Sequence, residues 1–456
     1  MKKTNDYIKN VLAFLFLIIC HIGIILILSI WRSCAKTFII FILISLGLLI
    51  TSKYIKNEQS RKLFLYMAIF SILTTVMSWN YIECIMEPNN TMFPNYQADS
   101  EDLVIGAIDI ADKGEKTYYK FGLYGTDRFP YIGQYGLQGK FFSSLTGAFT
   151  FDQTLFIGRM LCGYLAAAVF SGIVMLIKKK YNFLMAVCFF ATFWLSPWVV
   201  CFARNMYWVE FTWFLPMLAG LFCSIFIKKR WCRITSYVAA FLTIFIKSLC
   251  GYEYISCVML GLIAFLVVDL LYSIFTKDKA NAILLLKTII IMGVCAVLAF
   301  VAALLMHAQI RGNGDIVKGL KSIYDYEVMK RISINADSSL FDHPLLKESL
   351  EASLSDVFKR YYLFSTDIIL GIPGKLFTLI TVLPIFSFIY QWIKKDINLH
   401  EVFLYIVLFI TCISWFVLAK PHSYVHTPLN FVLWYFGFVQ ICFYIVINQI
   451  RKLVNK

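Results

Sequence analysis

NVLAFLFLIICHIGIILILSIW, residues 10–31, runs for 22 residues without a charged side chain. At ~1.5 Å of helix rise per residue, such a run crosses the ~30 Å hydrocarbon core of a bilayer. It is longer than a signal-peptide core, and the residues after it, Arg32-Ser33-Cys34, lack a small-residue cleavage pattern. The run is therefore expected to stay in the protein as a membrane span. Outward from it, further apolar windows follow at 37–52, 63–84, 154–177, 182–203, 206–227, 234–251, 254–275, 285–309, 368–392, 401–419 and 425–448. The expected fold is an all-α, polytopic transmembrane helical bundle of about twelve spans.

Composition agrees. Of 456 residues, 60% are hydrophobic and 17% aromatic, and the mean hydropathy is +0.73, well above the roughly half-apolar usage of soluble domains. The net charge of +15 does not point to nucleic acid, because Lys and Arg sit in short clusters between apolar runs rather than along one face. The 13 cysteines lack paired CxxC spacing, so neither a disulfide framework nor a zinc site is indicated.

The basic clusters fall in alternate connections: Lys2/Lys3/Lys9, Lys53/Lys56/Arg61/Lys62, Lys178–Lys180, Lys228/Lys229/Arg230/Arg233, Lys277/Lys279, Lys394/Lys395 and Arg451/Lys452/Lys456. Cationic flanks resist translocation. These connections and both termini are therefore expected in the cytoplasm of a plasma-membrane protein, and the usage of Lys, Ile, Phe and Asn points to a bacterial source. The chain reads as a single integral membrane domain, 1–456, with an N-terminal transmembrane hairpin at 10–62. Two large extracytoplasmic loops follow, 85–153 and 310–367, both expected to carry interfacial helices. In the first, Leu103 to Ile108 reads as the start of an amphipathic interfacial helix; in the second, Asp337, Asp342 and His343 suit a lid.

Ionisable groups at span ends are costly and often functional. On the outer side they are Arg159, Arg204, Glu210, Lys247, Glu253, Lys420, His422 and His426. The constellation of greatest weight is Asp99-Ser100-Glu101-Asp102, where a carboxylate just outside the bilayer could deprotonate an acceptor hydroxyl or hold a divalent cation, Mg or Mn. The plainer reading is a helix N-terminus, with Asp99 or Ser100 as cap and the acids favourable in the first turn. Arg204 suits bidentate phosphate binding, or an anchoring contact to Glu210 or a lipid headgroup. Lys420, His422 and His426 suit hydrogen bonding to phosphate or sugar; HxxxH without an intervening Glu is not the metalloprotease pattern, and no metal site is assigned.

The order of these features resembles the C-type integral membrane glycosyltransferases, the superfamily of protein O-mannosyltransferases and aminoarabinose transferases. The residues that carry it are Glu101-Asp102 followed by Ala107 and Gly114, then Arg159, then Arg204 with Glu210, over roughly 63–275. The acidic pair here follows the third span rather than the first, and its order is Glu-Asp rather than Asp-Glu. The resemblance implies a polyprenyl-phosphate-linked sugar as donor, inversion at the anomeric carbon, a cell-surface glycan, lipid or protein as acceptor, and an outer-loop carboxylate as general base. Asp102 is favoured for that role, with Glu101 and Asp99 behind it.

Rival readings are a multispan transporter or lipid-linked oligosaccharide flippase, a polysaccharide polymerase using Arg128, Arg311, Arg331 and Arg360, and a non-enzymatic scaffold. A transporter is expected to carry Gly- or Pro-broken spans in pairs. The sequence offers one, Gly371-Ile372-Pro373-Gly374.

Overall fold

A computed structural model describes residues 2–30, 34–79, 98–115, 120–329, 344–364, 367–369 and 372–455. Helices dominate: α1 (Lys2–Ile30), α2 (Cys34–Thr51), α3 (Glu58–Trp79), α4 (Asp102–Asp112), α5 (Leu137–Ser144), α6 (Phe151–Lys180), α7 (Phe183–Leu195), α8 (Pro197–Ala203), α9 (Phe211–Ile225) and α10 (Arg230–Cys250). They continue with α11 (Ile255–Phe275), α12 (Lys279–Arg311), α13 (Ile316–Ile323), α14 (Pro344–Glu351), α15 (Leu354–Leu363), α16 (Phe377–Ile393), α17 (Leu399–Leu418), α18 (Lys420–Val425), α19 (Thr427–Asn430) and α20 (Phe438–Val454). One short antiparallel pair, Asp367–Ile369 with Ile372–Pro373, interrupts them.

Among the described residues, seven helices, α3, α6, α10, α11, α12, α16 and α17, are long and apolar enough to cross a membrane. Two bent pairs raise this to as many as nine, α7 with α8 at 62° and Thr427–Tyr435 with α20 at 52°. The chain is thus an all-α, membrane-embedded protein, and twelve crossings are not established. Each expected window contains a described helix, although the 368–392 window begins on the short strand pair; among the described residues α1, α2 and α9 show shorter apolar stretches, Asn10–Gly23, Ile42–Tyr54 and Phe211–Ile225. For α9 the reason is local. Arg204 to Glu210 forms an irregular turn at the start of the expected 206–227 window, and the remaining helix, at ~1.5 Å per residue, falls short of the ~30 Å core.

The outer surface of α12 shows why lipid is the solvent. Ile290, Val294, Leu298, Val301 and Leu305 are all exposed, and their spacing of three and four residues makes them one continuous apolar ridge. Backbone groups beneath such a ridge are satisfied within the helix, which hydrocarbon requires. Inside, one core extends from Ile69 on α3 to Ile445 on α20. Helices approach closely where side chains vanish: a Cβ on Gly220 of α9 would sit 1.6 Å from the Leu262 carbonyl oxygen of α11. A satellite cluster of Leu17, Leu48, Ile55, Phe64 and Ala68 seats the α1–α2 hairpin on α3.

The basic connections gather at one end of this bundle. Lys179 and Lys229 flank the Phe226 ring from two connections, at 3.9 and 5.6 Å. Lys180 at the end of α6 pairs with Asp269 of α11 at 2.6 Å, and His400 at the start of α17 lies 3.8 Å from the same carboxylate.

Candidate functional site

Away from this basic end, the turns after α8 and α10 and the segment after α17 enclose a cavity of about 210 Å³. Its lining includes Asp99, Glu253, Glu327, His422 and His426 together with the aromatic side chains Tyr131, Tyr207 and Trp208.

The turn holding Asp99 is built by hydrogen bonds from both sides. Glu101 N–H donates to the Ala98 carbonyl at 3.1 Å, Ser100 adopts φ 57°, and its hydroxyl donates to Asp99 Oδ2 at 3.0 Å. Asn205 ties this turn to the next one. Its amide donates to the Asp99 carbonyl at 3.0 Å while its Oδ1 accepts the N–H groups of Tyr207 and Trp208 at 2.8 and 2.9 Å. That is the local side-chain-to-backbone bonding by which Asn shapes a turn. The turn closes on Val209 at φ 40°, a left-handed conformation that a β-branched residue adopts only when its surroundings enforce it, at a cost of ~1–3 kcal/mol. Burial pushes the Asp99 carboxyl above the ordinary aspartate range, with the Ser100 and Trp208 side chains pulling it part of the way back and the Asp102 charge raising it slightly further.

Glu101 lies behind the cavity, not in it. Its carboxylate is buried and accepts from Arg159 on α6, with Nη2 2.7 Å from Oε2 and Nε 3.3 and 3.2 Å from the two oxygens. It also accepts the Met206 N–H at 3.2 Å. One residue therefore joins α4, α6 and the Asn205 turn. Asp102 is exposed as the first residue of α4 and does not line the cavity, which removes the ground for favouring it as base. Of the helix-start reading, the cap by Asp99 or Ser100 is not found, because the N-cap of α4 is Glu101 without a side-chain cap bond, while Asp102 does stand in the first turn of the helix. The helix itself is present as expected, packed on α5 and α6 through Val104, Ile108 and their neighbours.

Also in the lining, His422 and His426 lie with ring centroids 4.5 Å apart, and Trp415 meets His422 edge-on at 5.7 Å. Glu253 arrives from the turn after α10, beside Gly251. A Cβ at Gly251 would lie 2.3 Å from Gln134 Oε1 and 2.4 Å from Glu253 Oε2, so only glycine leaves both side chains where they are. The loop bearing Tyr131 is pinned through the Ile132 carbonyl, which Arg311 Nη1 and the His307 ring approach at 3.0 and 2.9 Å. Arg311 also meets Glu327 at 3.2 Å.

No protein family, curated protein or solved structure matches this chain.

The sequence candidates divide accordingly. Asp99, Glu253, His422 and His426 share the cavity. The basic residues expected to hold a donor phosphate do not gather there: Arg159 is taken by Glu101, Lys247 is buried with its ammonium donating to the Gly251 carbonyl at 2.7 Å, and Lys420 donates to the Leu350 and Ala352 carbonyls at 3.0 and 2.5 Å. Arg204 is half-buried at the end of α8, outside the cavity lining. Glu210 is fully buried, and among the described residues neither carboxylate oxygen has a hydrogen-bond partner. Asp337, Asp342, His343 and Arg331 lie outside the described residues. Glu327, Tyr131, Tyr207 and Trp208 were not anticipated; an aromatic pair following a turn-forming Asn205 was the one available signal. For a divalent cation, no group of three His, Cys, Asp or Glu side chains among the described residues is arranged to hold one.

Proposed function

We propose that this chain is a membrane glycosyltransferase that moves a sugar from a polyprenyl-phosphate carrier to an acceptor at the end of the bundle opposite its basic clusters, with Asp99 as general base. The observation that carries the reading is the desolvated Asp99 carboxyl in a small cavity walled by tyrosine, tryptophan and further carboxylates. Aromatic faces take the C–H faces of a sugar ring while carboxylates accept its hydroxyls. At about 210 Å³ the cavity is below the ~300–1,000 Å³ of drug-sized sites and suits a single ring.

In the reaction an acceptor hydroxyl oxygen bonds to the anomeric carbon from the face opposite the phosphate. Asp99 takes the hydroxyl proton, and the carbon–oxygen bond to phosphate breaks, releasing polyprenyl phosphate. A carboxyl with a raised pKa is a stronger base once ionised, and its position sets which hydroxyl attacks. His422 and His426 line the same cavity and are assigned to the donor phosphate. The topology with both termini in the cytoplasm of a bacterial plasma membrane belongs to the same proposal, as do the large outer loops and the carrier lipid and glycan partners.

The test is mass spectrometry of polyprenyl-phosphate sugars and surface glycans in cells with and without the gene. A donor that accumulates on deletion, with a glycan lacking one sugar, is the expected result; unchanged lipids and glycans would overturn the proposal.

A second reading has its own observation. Two bent spans, broken at Ser196–Pro197 and at Phe436–Gly437, adjoin the turns that bring Tyr207, Trp208 and His426 to the cavity. Paired broken helices meeting at a site are a transporter trait, and the sequence had offered only one break. Vesicle flux of a lipid-linked sugar without transfer would favour it.

A further inference from the structure

At the other end of the molecule, an apolar groove of about 600 Å³ opens between α2 and α3 on one side and α6 and α7 on the other. Its mouth carries four cations from three separate segments: Lys53 after α2, Arg61 and Lys62 at the start of α3, and Lys178 at the end of α6. Arg61 and Lys62 lie close enough to Lys178 for their charges to act on it. One carboxylate partly offsets them, Glu58, paired with Lys62 at 2.5 Å. Among the described residues neither Lys53 nor Arg61 makes an ion pair, so like charges converge here with a net positive excess.

The walls are different in kind. Leu49, Leu65, Ile69, Met175 and Phe190 continue the groove away from the cations. From Arg61 to Ile69 the helix rises about 12 Å at ~1.5 Å per residue, which places the deep end well inside the hydrocarbon. Topogenic charge explains basic residues at this end of a bundle. It does not explain why they ring one apolar groove. Basic pockets between membrane helices hold anionic lipid headgroups, each Lys or Arg adding to the attraction.

We propose that this groove binds an anionic phospholipid of the adjacent leaflet, its phosphate held among Lys53, Arg61 and Lys178 and one acyl chain lying along Leu65, Ile69 and Met175. The inference does not depend on the transferase reading. A seated lipid would also fix the α1–α2 hairpin, whose own core with α3 is small.

The experiment is native mass spectrometry of the full-length protein in detergent after equilibration with equal amounts of phosphatidylglycerol and phosphatidylcholine. Wild type is expected to retain phosphatidylglycerol over phosphatidylcholine by about thirtyfold, the ratio to which two added cationic contacts amount. Arg61→Gln with Lys178→Gln should reduce that ratio to near one, whereas Lys228→Gln with Lys229→Gln, at another basic connection, should leave it unchanged. Leu65→Trp fills the groove without altering charge and should expel the lipid as well. Equal retention of both lipids by wild type, or wild-type retention by the Arg61/Lys178 variant, would overturn the proposal. So would displacement of phosphatidylglycerol by an equimolar polyprenyl phosphate, which would assign the groove to the carrier lipid.

Discussion

The Arg159 guanidinium clamps the Glu101 carboxylate with Nη2 2.7 Å from Oε2, and the same carboxylate receives the Met206 N–H. The sequence offered Glu101 as a candidate base and Arg159 as a substrate contact; the geometry makes them a tie between α4, α6 and the turn that carries Trp208. Removing one partner of a buried pair leaves the other uncompensated. Arg159→Met should therefore lower stability by about 2–3 kcal/mol, allowing for its partial exposure. Pairing it with Glu101→Gln should recover part of that loss, and thermal unfolding of the detergent-solubilised protein measures both.

Asp99→Asn should reduce transfer by roughly 10²–10⁴-fold, the usual worth of a general base, with the fold intact. Asp102→Asn, altering an exposed side chain at the start of α4, should stay near wild type. Turnover of a synthetic polyprenyl-phosphate sugar by purified protein distinguishes them, and the reverse pattern would return the base to Asp102.

The raised pKa of Asp99 gives a pH dependence of definite sign. Transfer needs the ionised carboxylate, so activity should rise with pH through the raised value instead of being complete just above the unperturbed aspartate pKa of ~3.9. Stability runs the opposite way. A group protonated more readily in the folded state contributes stability below its unfolded pKa and loses that contribution as pH rises through the folded one. Asp99→Asn should accordingly remove this fall in stability with rising pH while abolishing the activity profile.

Gly251→Ala should impair the site without replacing any side chain that lines it. The new Cβ would push aside the side-chain ends of Gln134 and Glu253, a shift at the low end of the ~1–3 kcal/mol that overpacking costs. A fall in turnover with a lower unfolding temperature is expected; unchanged values of both would mean that the Glu253 turn tolerates the shift.

Lys420→Ala should act on the second large loop rather than on substrate affinity. Its ammonium serves carbonyls at the C-terminal end of α14, where a cation also complements the helix dipole. Hydrogen exchange should increase across Pro344–Leu363 while the apparent donor affinity holds. Weakened donor affinity with unchanged exchange would restore Lys420 to the phosphate site.

The sequence by itself determined the class of protein. Runs such as residues 10–31 and 285–309 cannot be solvated by water, and this needs no knowledge of neighbours, because each helix satisfies its own backbone hydrogen bonds. It also determined which connections share an end, since charge clusters alternate along the chain, and it marked most of the charged side chains worth locating. Span number was less legible: α9 ends short because the Arg204–Glu210 turn occupies residues whose hydropathy alone would have placed them in a helix.

Only the tertiary structure decided what each charge does. Glu101 and Asp102 are adjacent and chemically alike, yet one is buried against Arg159 and the other faces outward, because a helix start directs successive side chains to different faces. Asp99 gained its place through Asn205, more than a hundred residues away. Partner, burial and electrostatic surroundings are properties of contacts between distant segments, and local sequence carries no record of them.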